Sequence, residues 1–81
     1  MRYFLPDRFL EQLKLLPGLA QNKFQKQLRF LLKNLRHPSL RAKKYNERRG
    51  IWQARVDDNF RFYFIIDGDT YVLLSITYHP K

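Results

Sequence analysis

The side chains with the clearest chemical potential are two arginines and a histidine in the C-terminal half of the sequence. Arg55 and Arg61 lie in the stretch IWQARVDDNFRFYFII (51–66), and His79 follows the next apolar stretch. A guanidinium presents fork-shaped donors to a phosphate, and an imidazole exchanges protons near neutral pH. On one surface, the three side chains would form an anion site that can also move a proton.

The alternation of apolar and polar residues from position 51 to 78 predicts three consecutive strands. The even-numbered positions are the more apolar ones and are predicted to face the core. They are Trp52, Ala54, Val56, Phe60, Phe62, Phe64, Ile66, Val72, Leu74 and Ile76.

Keeping core positions opposite core positions fixes the register of these strands. Val56 then lies opposite Phe60, Ala54 opposite Phe62 and Trp52 opposite Phe64, which places Arg55 opposite Arg61 on the other face. Extending the same parity across a turn at DGD (67–69) pairs Phe64 with Val72 and Phe62 with Leu74. It also sets Ser75 beside Arg61, and His79 on the face of Thr77.

Two like charges directly opposite each other cost about 0.2–1 kcal/mol, and folding does not require that cost. One interpretation is that both arginines are solvated and relieved by Asp57 or Asp58 in the turn between the strands. The other is an anion site, in which a bound phosphate offsets the repulsion. The pattern leaves both open.

Charge points to an acidic partner. The 81 residues include 16 Lys and Arg but 7 Asp and Glu, for a net charge of +9. The excess is densest in residues 36–49, where Glu47 is the one acid. This segment is predicted to be a loop that widens the site into a groove. Its basic residues are Arg36, Arg41, Lys43, Lys44, Arg48 and Arg49.

Upstream of this loop the sequence predicts a short strand at 2–5 and two helices. The first helix begins near Asp7 and ends at Pro17–Gly18; the second spans residues 20–35. So short a connection makes the helices an antiparallel hairpin. His37, before a proline at the helix end, is predicted to be a structural or capping residue. The whole chain, 1–81, is predicted to be a single domain.

Several function classes are not expected. The sequence has no cysteine, no apolar run of membrane-spanning length and no recognisable signal peptide, so a cytoplasmic protein without membrane contact is predicted. Two histidines and few acids form no ligand cluster. Neither a metal nor another cofactor is therefore predicted.

The order strand, helical hairpin, basic loop and three-stranded antiparallel meander resembles the RelE/ParE superfamily of type II toxins. HPSLRAKKY (37–45) resembles the loop after the second helix of many members, and GIWQARVDDNFRFYFIIDGDTYVLLSI (50–76) resembles their sheet. YHPK (78–81) falls where members often carry a histidine. The resemblance implies an α+β fold with the order β-α-α-β-β-β.

The resemblance also implies an activity and partners. RelE-like members, the branch favoured here, are ribosome-dependent mRNA endonucleases, ParE-like members poison DNA gyrase, and a cognate antitoxin protein neutralises both. By similarity, Arg61 matches the arginine that holds the scissile phosphate, Arg55 falls near a basic position, and His79 falls at a catalytic histidine. Gln53 stands where some members carry lysine or glutamate. The predicted RNA-binding residues are Arg41, Lys43, Lys44, Arg48, Arg49 and Gln53. A gyrase inhibitor and a noncatalytic basic binding module remain the alternatives.

Overall fold

In a computed structural model, which describes residues 1–79, the chain forms a five-stranded sheet and two α-helices. The elements in chain order are β1 (Arg2–Phe4), α1 (Asp7–Lys14), α2 (Gly18–Lys33), a 3₁₀ turn (Pro38–Leu40), β2 (Lys43–Asn46), β3 (Ile51–Arg55), β4 (Phe60–Asp67) and β5 (Thr70–Tyr78). The predicted α+β order of a strand, two helices and a meander is confirmed.

Both helices begin after prolines, which the sequence predicted for α1 only. α1 ends at Lys14 instead of Pro17–Gly18, and α2 spans Gly18–Lys33 instead of residues 20–35. Pro6 precedes α1 and Pro17 precedes α2, where the fixed φ of proline suits a helix start. Phe9 and Phe24 join the helices, with ring centroids 5.2 Å apart. Neither helix within residues 1–79 is long and apolar enough to cross a bilayer.

The sheet has the strand order β1-β5-β4-β3-β2. β1 runs parallel to β5, and all other neighbours are antiparallel. The prediction of a loop over residues 36–50 is wrong at Lys43–Asn46, which is the edge strand β2. Edge strands commonly carry lysines, which discourage pairing with other chains. The charge that suggested a loop is therefore compatible with a strand.

The predicted register of β3 and β4 is confirmed. Trp52 lies opposite Phe64, Ala54 opposite Phe62 and Arg55 opposite Arg61.

The predicted register of β4 and β5 is wrong. Asp67 pairs with Thr70, so the hairpin has a two-residue loop in which Gly68 takes a φ of +60°. This loop pairs even with odd positions, and Phe64 lies opposite Leu73 instead of Val72. A bulge at Leu74 then shifts the register by one residue.

Between the two-residue loop and the bulge, the β5 residues face the opposite way from the prediction. Tyr71 and Leu73, predicted on the far face, are buried in the core, whereas Val72 and Leu74 are only partly buried. Burial raises the pKa of the Tyr71 phenol. Beyond the bulge Arg61 pairs with Thr77, and Ser75, predicted beside Arg61, lies opposite Tyr63.

The core lies between the helices and one face of the sheet. Gln12 of α1 ties the two layers together, because its Oε1 accepts a hydrogen bond from the backbone N–H of Ile76 at 3.0 Å. The buried cluster consists of Phe9, Leu13, Phe24, Leu28, Leu31, Leu40, Ala54, Val56, Phe62, Phe64, Tyr71, Leu73 and Ile76.

A buried glutamine joins α2 to the segments that carry the site. Gln27 is 3% exposed. Its Nε2 donates to the carbonyl oxygens of Ser39, at 3.1 Å, and Arg55, at 2.8 Å, and its Oε1 accepts from the Ser39 hydroxyl at 3.2 Å. One side chain therefore fixes both the 3₁₀ turn and the end of β3.

His37 has the structural role predicted for it. Its Nδ1 accepts the backbone N–H of Ser39 at 3.2 Å, which caps the 3₁₀ turn. The imidazole stacks on Phe30 with ring centroids 3.9 Å apart. Phe30 lies off the main apolar stripe of α2, and its ring makes this stacking contact.

Asp57 organises the turn between β3 and β4. Its Oδ1 accepts the backbone N–H groups of Asn59, at 2.8 Å, and Phe60, at 2.9 Å, and its Oδ2 lies 3.6 Å from Lys23 Nζ. Partial burial is the largest influence on the pKa of Asp57 and acts to raise it. The two N–H groups and the Lys23 ammonium together outweigh burial and hold the pKa below its ordinary value.

Replacing Gln27 by alanine should lower the free energy of unfolding by about 1–3 kcal/mol, because the carbonyl groups of Ser39 and Arg55 lose their donor. Gln25, exposed on the same helix, offers a matched control. Its alanine variant should change stability by less than about 0.5 kcal/mol. Urea unfolding of both variants tests this, and equal losses would contradict the role assigned to Gln27.

Replacing Asp57 by asparagine keeps an acceptor oxygen but removes the charge, and should cost about 1 kcal/mol at pH 7. The folded state lowers the pKa of Asp57 from 3.8. The stabilisation is therefore complete well above that value and is lost as the pH falls through the folded-state pKa. Urea unfolding at neutral pH and below pH 3.8 should show the difference between the two proteins shrinking. A constant difference would exclude this linkage.

Candidate nucleic-acid interface

Arg55 and Arg61 form a cross-strand pair of like charges at the end of the β3–β4 hairpin. They are directly opposite each other, both half-buried, and Thr77 of β5 continues the row. Their side chains lie on the face opposite Phe62 and Phe64, because neighbouring positions in a strand point to opposite faces. The sheet therefore separates the two guanidinium groups from the hydrophobic core.

The hairpin turn contains the groups that offset this repulsion. Arg61 Nη1 donates to the carbonyl oxygen of Phe60 at 3.0 Å and to that of Asp57. Arg55 Nη2 pairs with Asp58 Oδ1. The Arg55 side chain is 26% exposed and that of Asp58 is 63% exposed, so this ion pair lies at the surface and not inside the fold.

His79 lies next to the same turn. Its backbone N–H donates to the carbonyl oxygen of Asn59 at 2.6 Å, and its side chain is exposed. This contact places the imidazole on the wall of a cavity that Arg55 and Arg61 also line. The structure therefore brings together the three residues predicted for chemistry, and their catalytic roles stay predictions. The sequence resemblance at 78–81 also includes Pro80 and Lys81, which lie outside the described residues.

The cavity has a volume of about 670 Å³ and is mostly lined by basic and aromatic side chains. β2 and the residue after the 3₁₀ turn supply one wall, β3 and β4 the floor, and His79 the other side. Among residues 1–79, those lining it are Arg41, Lys43, Lys44, Tyr45, Gln53, Ala54, Arg55, Arg61 and His79. This set includes no carboxylate, and Asp58 contacts one of its members, Arg55.

Some of the predicted RNA-binding residues line the cavity and others do not. Arg41 and Lys43 line the cavity, and both are exposed. Lys44 is also part of the lining, but its ammonium lies 5.2 Å from the ring centre of Trp52, a cation–π contact. Arg48 and Arg49 lie in the turn at 47–50 and are exposed, and neither lines the cavity.

Gln53 is buried beneath the cavity and positions a neighbouring side chain. It is 8% exposed, and its Nε2 donates to the Tyr63 hydroxyl at 3.0 Å. It pairs with Lys43 on one side and Tyr63 on the other. The amide therefore holds the tyrosine in place.

Sequence reasoning missed two residues that shape the site, Gln27 and Tyr45. The signal for Gln27 is a polar residue at helical spacing within an apolar stripe, three positions after Phe24. Tyr45 had no such signal, because the charged segment around it was interpreted as a loop.

No group of three or more His, Cys, Asp or Glu side chains within residues 1–79 is arranged to hold a metal ion. The positive charge of the cavity comes from the lysine and arginine side chains that line it.

No protein-family model and no curated protein matches this sequence. Solved structures do match its fold. A chain of the RelB–RelE antitoxin–toxin complex from Methanococcus jannaschii superposes with a TM-score of 0.76 at 18% identity, over 96% of this chain and 89% of that one.

Two further structures are similar over nearly their full length. The YoeB/ParE toxin from Agrobacterium tumefaciens gives a TM-score of 0.79 at 11% identity, over 99% of this chain and 100% of that one. A copper-bound mutant toxin from Helicobacter pylori gives 0.66 at 14% identity, over 98% and 94%. The chain therefore has the fold of the RelE/ParE-like toxin superfamily.

Proposed function

We propose that this protein is the toxin of a toxin–antitoxin pair and that it cleaves mRNA on the ribosome. One observation carries the proposal: Arg41, Lys43, Arg55, Arg61 and His79 converge on a single cavity of about 670 Å³. The RelE/ParE-like fold supports it, since the similar structures are described as toxins.

The charges in the cavity suit a phosphodiester. Arginine side chains can donate two parallel hydrogen bonds to a phosphate, and their charge persists at all physiological pH values. Half-burial of Arg55 and Arg61 lowers the effective dielectric constant around them, which strengthens their attraction for an anion. The backbone contacts of Arg61 fix its guanidinium before a ligand arrives.

RNA supplies its own nucleophile for cleavage. The 2′-oxygen attacks the adjacent phosphorus, and the bond from phosphorus to the 5′-oxygen breaks. The products are a 2′,3′-cyclic phosphate and a 5′-hydroxyl group. One proton leaves the 2′-hydroxyl and another reaches the departing 5′-oxygen, so a residue that exchanges protons near neutral pH accelerates the step.

In this scheme three residues of the cavity have separate roles in the reaction. Arg61 holds the scissile phosphate and stabilises the charge that builds on its oxygens. Arg55 adds a second cation and exchanges its contact with Asp58 for one with the phosphate. His79, exposed on the cavity wall, transfers a proton.

The basic surface outside the cavity would dock the ribosome. Arg48 and Arg49, which do not line the cavity, belong to this surface, as do exposed cations of α2 such as Lys26, Arg29 and Lys33. A net charge of +9 favours ribosomal RNA through counterion release. The ribosome would then present the mRNA in the geometry that in-line attack needs.

The same charge would attract an antitoxin. One of the similar structures is an antitoxin–toxin complex, and an acidic protein that covers the cationic face would block the cavity. A reading frame for an acidic protein adjacent to the gene would be the expected genomic arrangement.

Alanine in place of Arg61 or His79 should abolish growth arrest and remove new mRNA 5′ ends when each variant is expressed from an inducible promoter. Loss of the proton-transferring histidine should slow cleavage by about 10²–10⁴-fold. The control is Arg8→Ala, which removes an exposed arginine of α1 remote from the cavity. It should remain toxic.

Two results would overturn the proposed activity. Full toxicity of both variants would exclude chemistry at this cavity. Intact mRNA in arrested cells, together with loss of DNA supercoiling activity, would identify a gyrase inhibitor. Urea unfolding of each variant shows whether a loss of toxicity reflects a loss of fold.

Arg41 offers a separate test, because it is the one non-glycine residue within positions 1–79 with a positive φ, +46°. This left-handed conformation costs an L-residue about 1–2 kcal/mol, a cost expected to persist where the side chain is needed. Arg41→Gly and Arg41→Ala should weaken RNA binding equally, but the glycine variant should be the more stable by about 1 kcal/mol. RNA titration and urea unfolding of both variants check this. Unchanged RNA affinity would remove Arg41 from the binding surface.

A further inference from the structure

Tyr45 is a large aromatic residue whose exposure the fold does not explain. Its side chain is 61% exposed, and it lines the cavity beside Arg41 and Lys43. Two other tyrosines are exposed, Tyr3 on β1 at 49% and Tyr78 on β5 at 64%, but neither lines the cavity. Exposure of an aromatic ring on the wall of a cationic cavity therefore distinguishes Tyr45.

The ring of Tyr45 rests on a fixed support. It meets the ring of Tyr63 edge to face, with centroids 4.9 Å apart. Tyr63 is itself held by the hydrogen bond from Gln53, which is buried. Tyr63 thus positions the Tyr45 ring, while much of the surface of Tyr45 stays exposed to solvent.

The strand geometry places Tyr45 at an irregularity. Lys44 pairs with Trp52 and Asn46 pairs with Ile51, so Tyr45 is the extra residue of a bulge in β2. Bulges occur often beside functional sites, where they redirect a side chain. This one lies at the rim of the cavity, on the strand that also provides Lys43.

We infer that Tyr45 forms a nucleobase subsite: the base of a single-stranded RNA nucleotide stacks on its ring while the arginine pair holds a neighbouring phosphate. The inference rests on the proposed function. Every nucleobase has a π face that stacks on an aromatic side chain. Cations beside the ring bind the backbone and bring the base into reach. The phenol hydroxyl has no part in stacking.

The test is fluorescence anisotropy with the full-length protein and a short, labelled 2′-O-methyl RNA, which has no free 2′-hydroxyl and so is not cut. A second probe has the same length and charge but lacks the bases at its central positions. The variants are Tyr45→Leu, Tyr45→Phe, Arg61→Ala and, as the matched control, Tyr3→Leu.

Stacking on one aromatic side chain is worth about 1–3 kcal/mol per base, so Tyr45→Leu should weaken binding of the complete RNA by about 5–150-fold. The same variant should bind the abasic probe with nearly wild-type affinity. Tyr45→Phe and Tyr3→Leu should bind both probes like the wild type. The salt dependence of binding should not change with Tyr45→Leu, because no charge is lost.

Each contrary result has its own meaning. If Tyr45→Leu binds the complete RNA like the wild type while Arg61→Ala does not, the subsite is wrong and the proposed function stands. If Tyr45→Leu weakens both probes equally, or Tyr45→Phe weakens binding as much as leucine does, the ring does not act by stacking and the inference fails. If the wild type binds neither probe above background, the inference and RNA binding by the isolated protein both fail. Urea unfolding of Tyr45→Leu verifies that its fold is intact.

Discussion

The site depends on one electrostatic arrangement, the facing of Arg55 and Arg61 across the β3–β4 hairpin. A like-charge pair at this position costs about 0.2–1 kcal/mol, and the turn between the strands is built to offset it. Asp58 pairs with Arg55, and the carbonyl groups of Asp57 and Phe60 accept hydrogen bonds from Arg61. Two positive charges therefore stay in register without a ligand.

Hydrogen bonds connect this hairpin to the segments that form the walls of the cavity. Gln27 binds the backbone of Arg55 and of Ser39 at once, so it connects the end of β3 to the 3₁₀ turn that precedes Arg41. His79 is held at the same turn through Asn59. These hydrogen bonds position residues from distant parts of the sequence relative to the β3–β4 hairpin. Electrostatic stabilisation of a reacting phosphate requires such preorganisation.

Strand parity was sufficient to predict the Arg55–Arg61 pair, because a short turn joins β3 to β4 and the core residues Ala54, Val56, Phe62 and Phe64 occupy alternate positions. It failed for β5, since DGD (67–69) indicates a turn but not the length of its loop, and the bulge at Leu74 leaves no signal in an apolar run. The loop offsets the parity and the bulge restores it, so Thr77 lies on the arginine face as predicted, although Ser75 was the residue predicted beside Arg61. β2 could not be predicted, because an edge strand carrying lysines has the composition of a loop. Tyr45, as its bulged residue, was therefore hidden as well.

Asp58 makes binding at this cavity a competition. A phosphate that takes Arg55 must displace or share a carboxylate that is already paired with it. Because that carboxylate is 63% exposed, water can solvate it after displacement, and the penalty of losing its contact with Arg55 is small. In the proposed complex an anion would contact Arg61, Arg41 and Lys43 in the same step, and these contacts would compensate for the lost ion pair. The exposed aspartate would thus stabilise the hairpin without a ligand and still allow a polyanion to bind, a balance that a buried carboxylate would not allow.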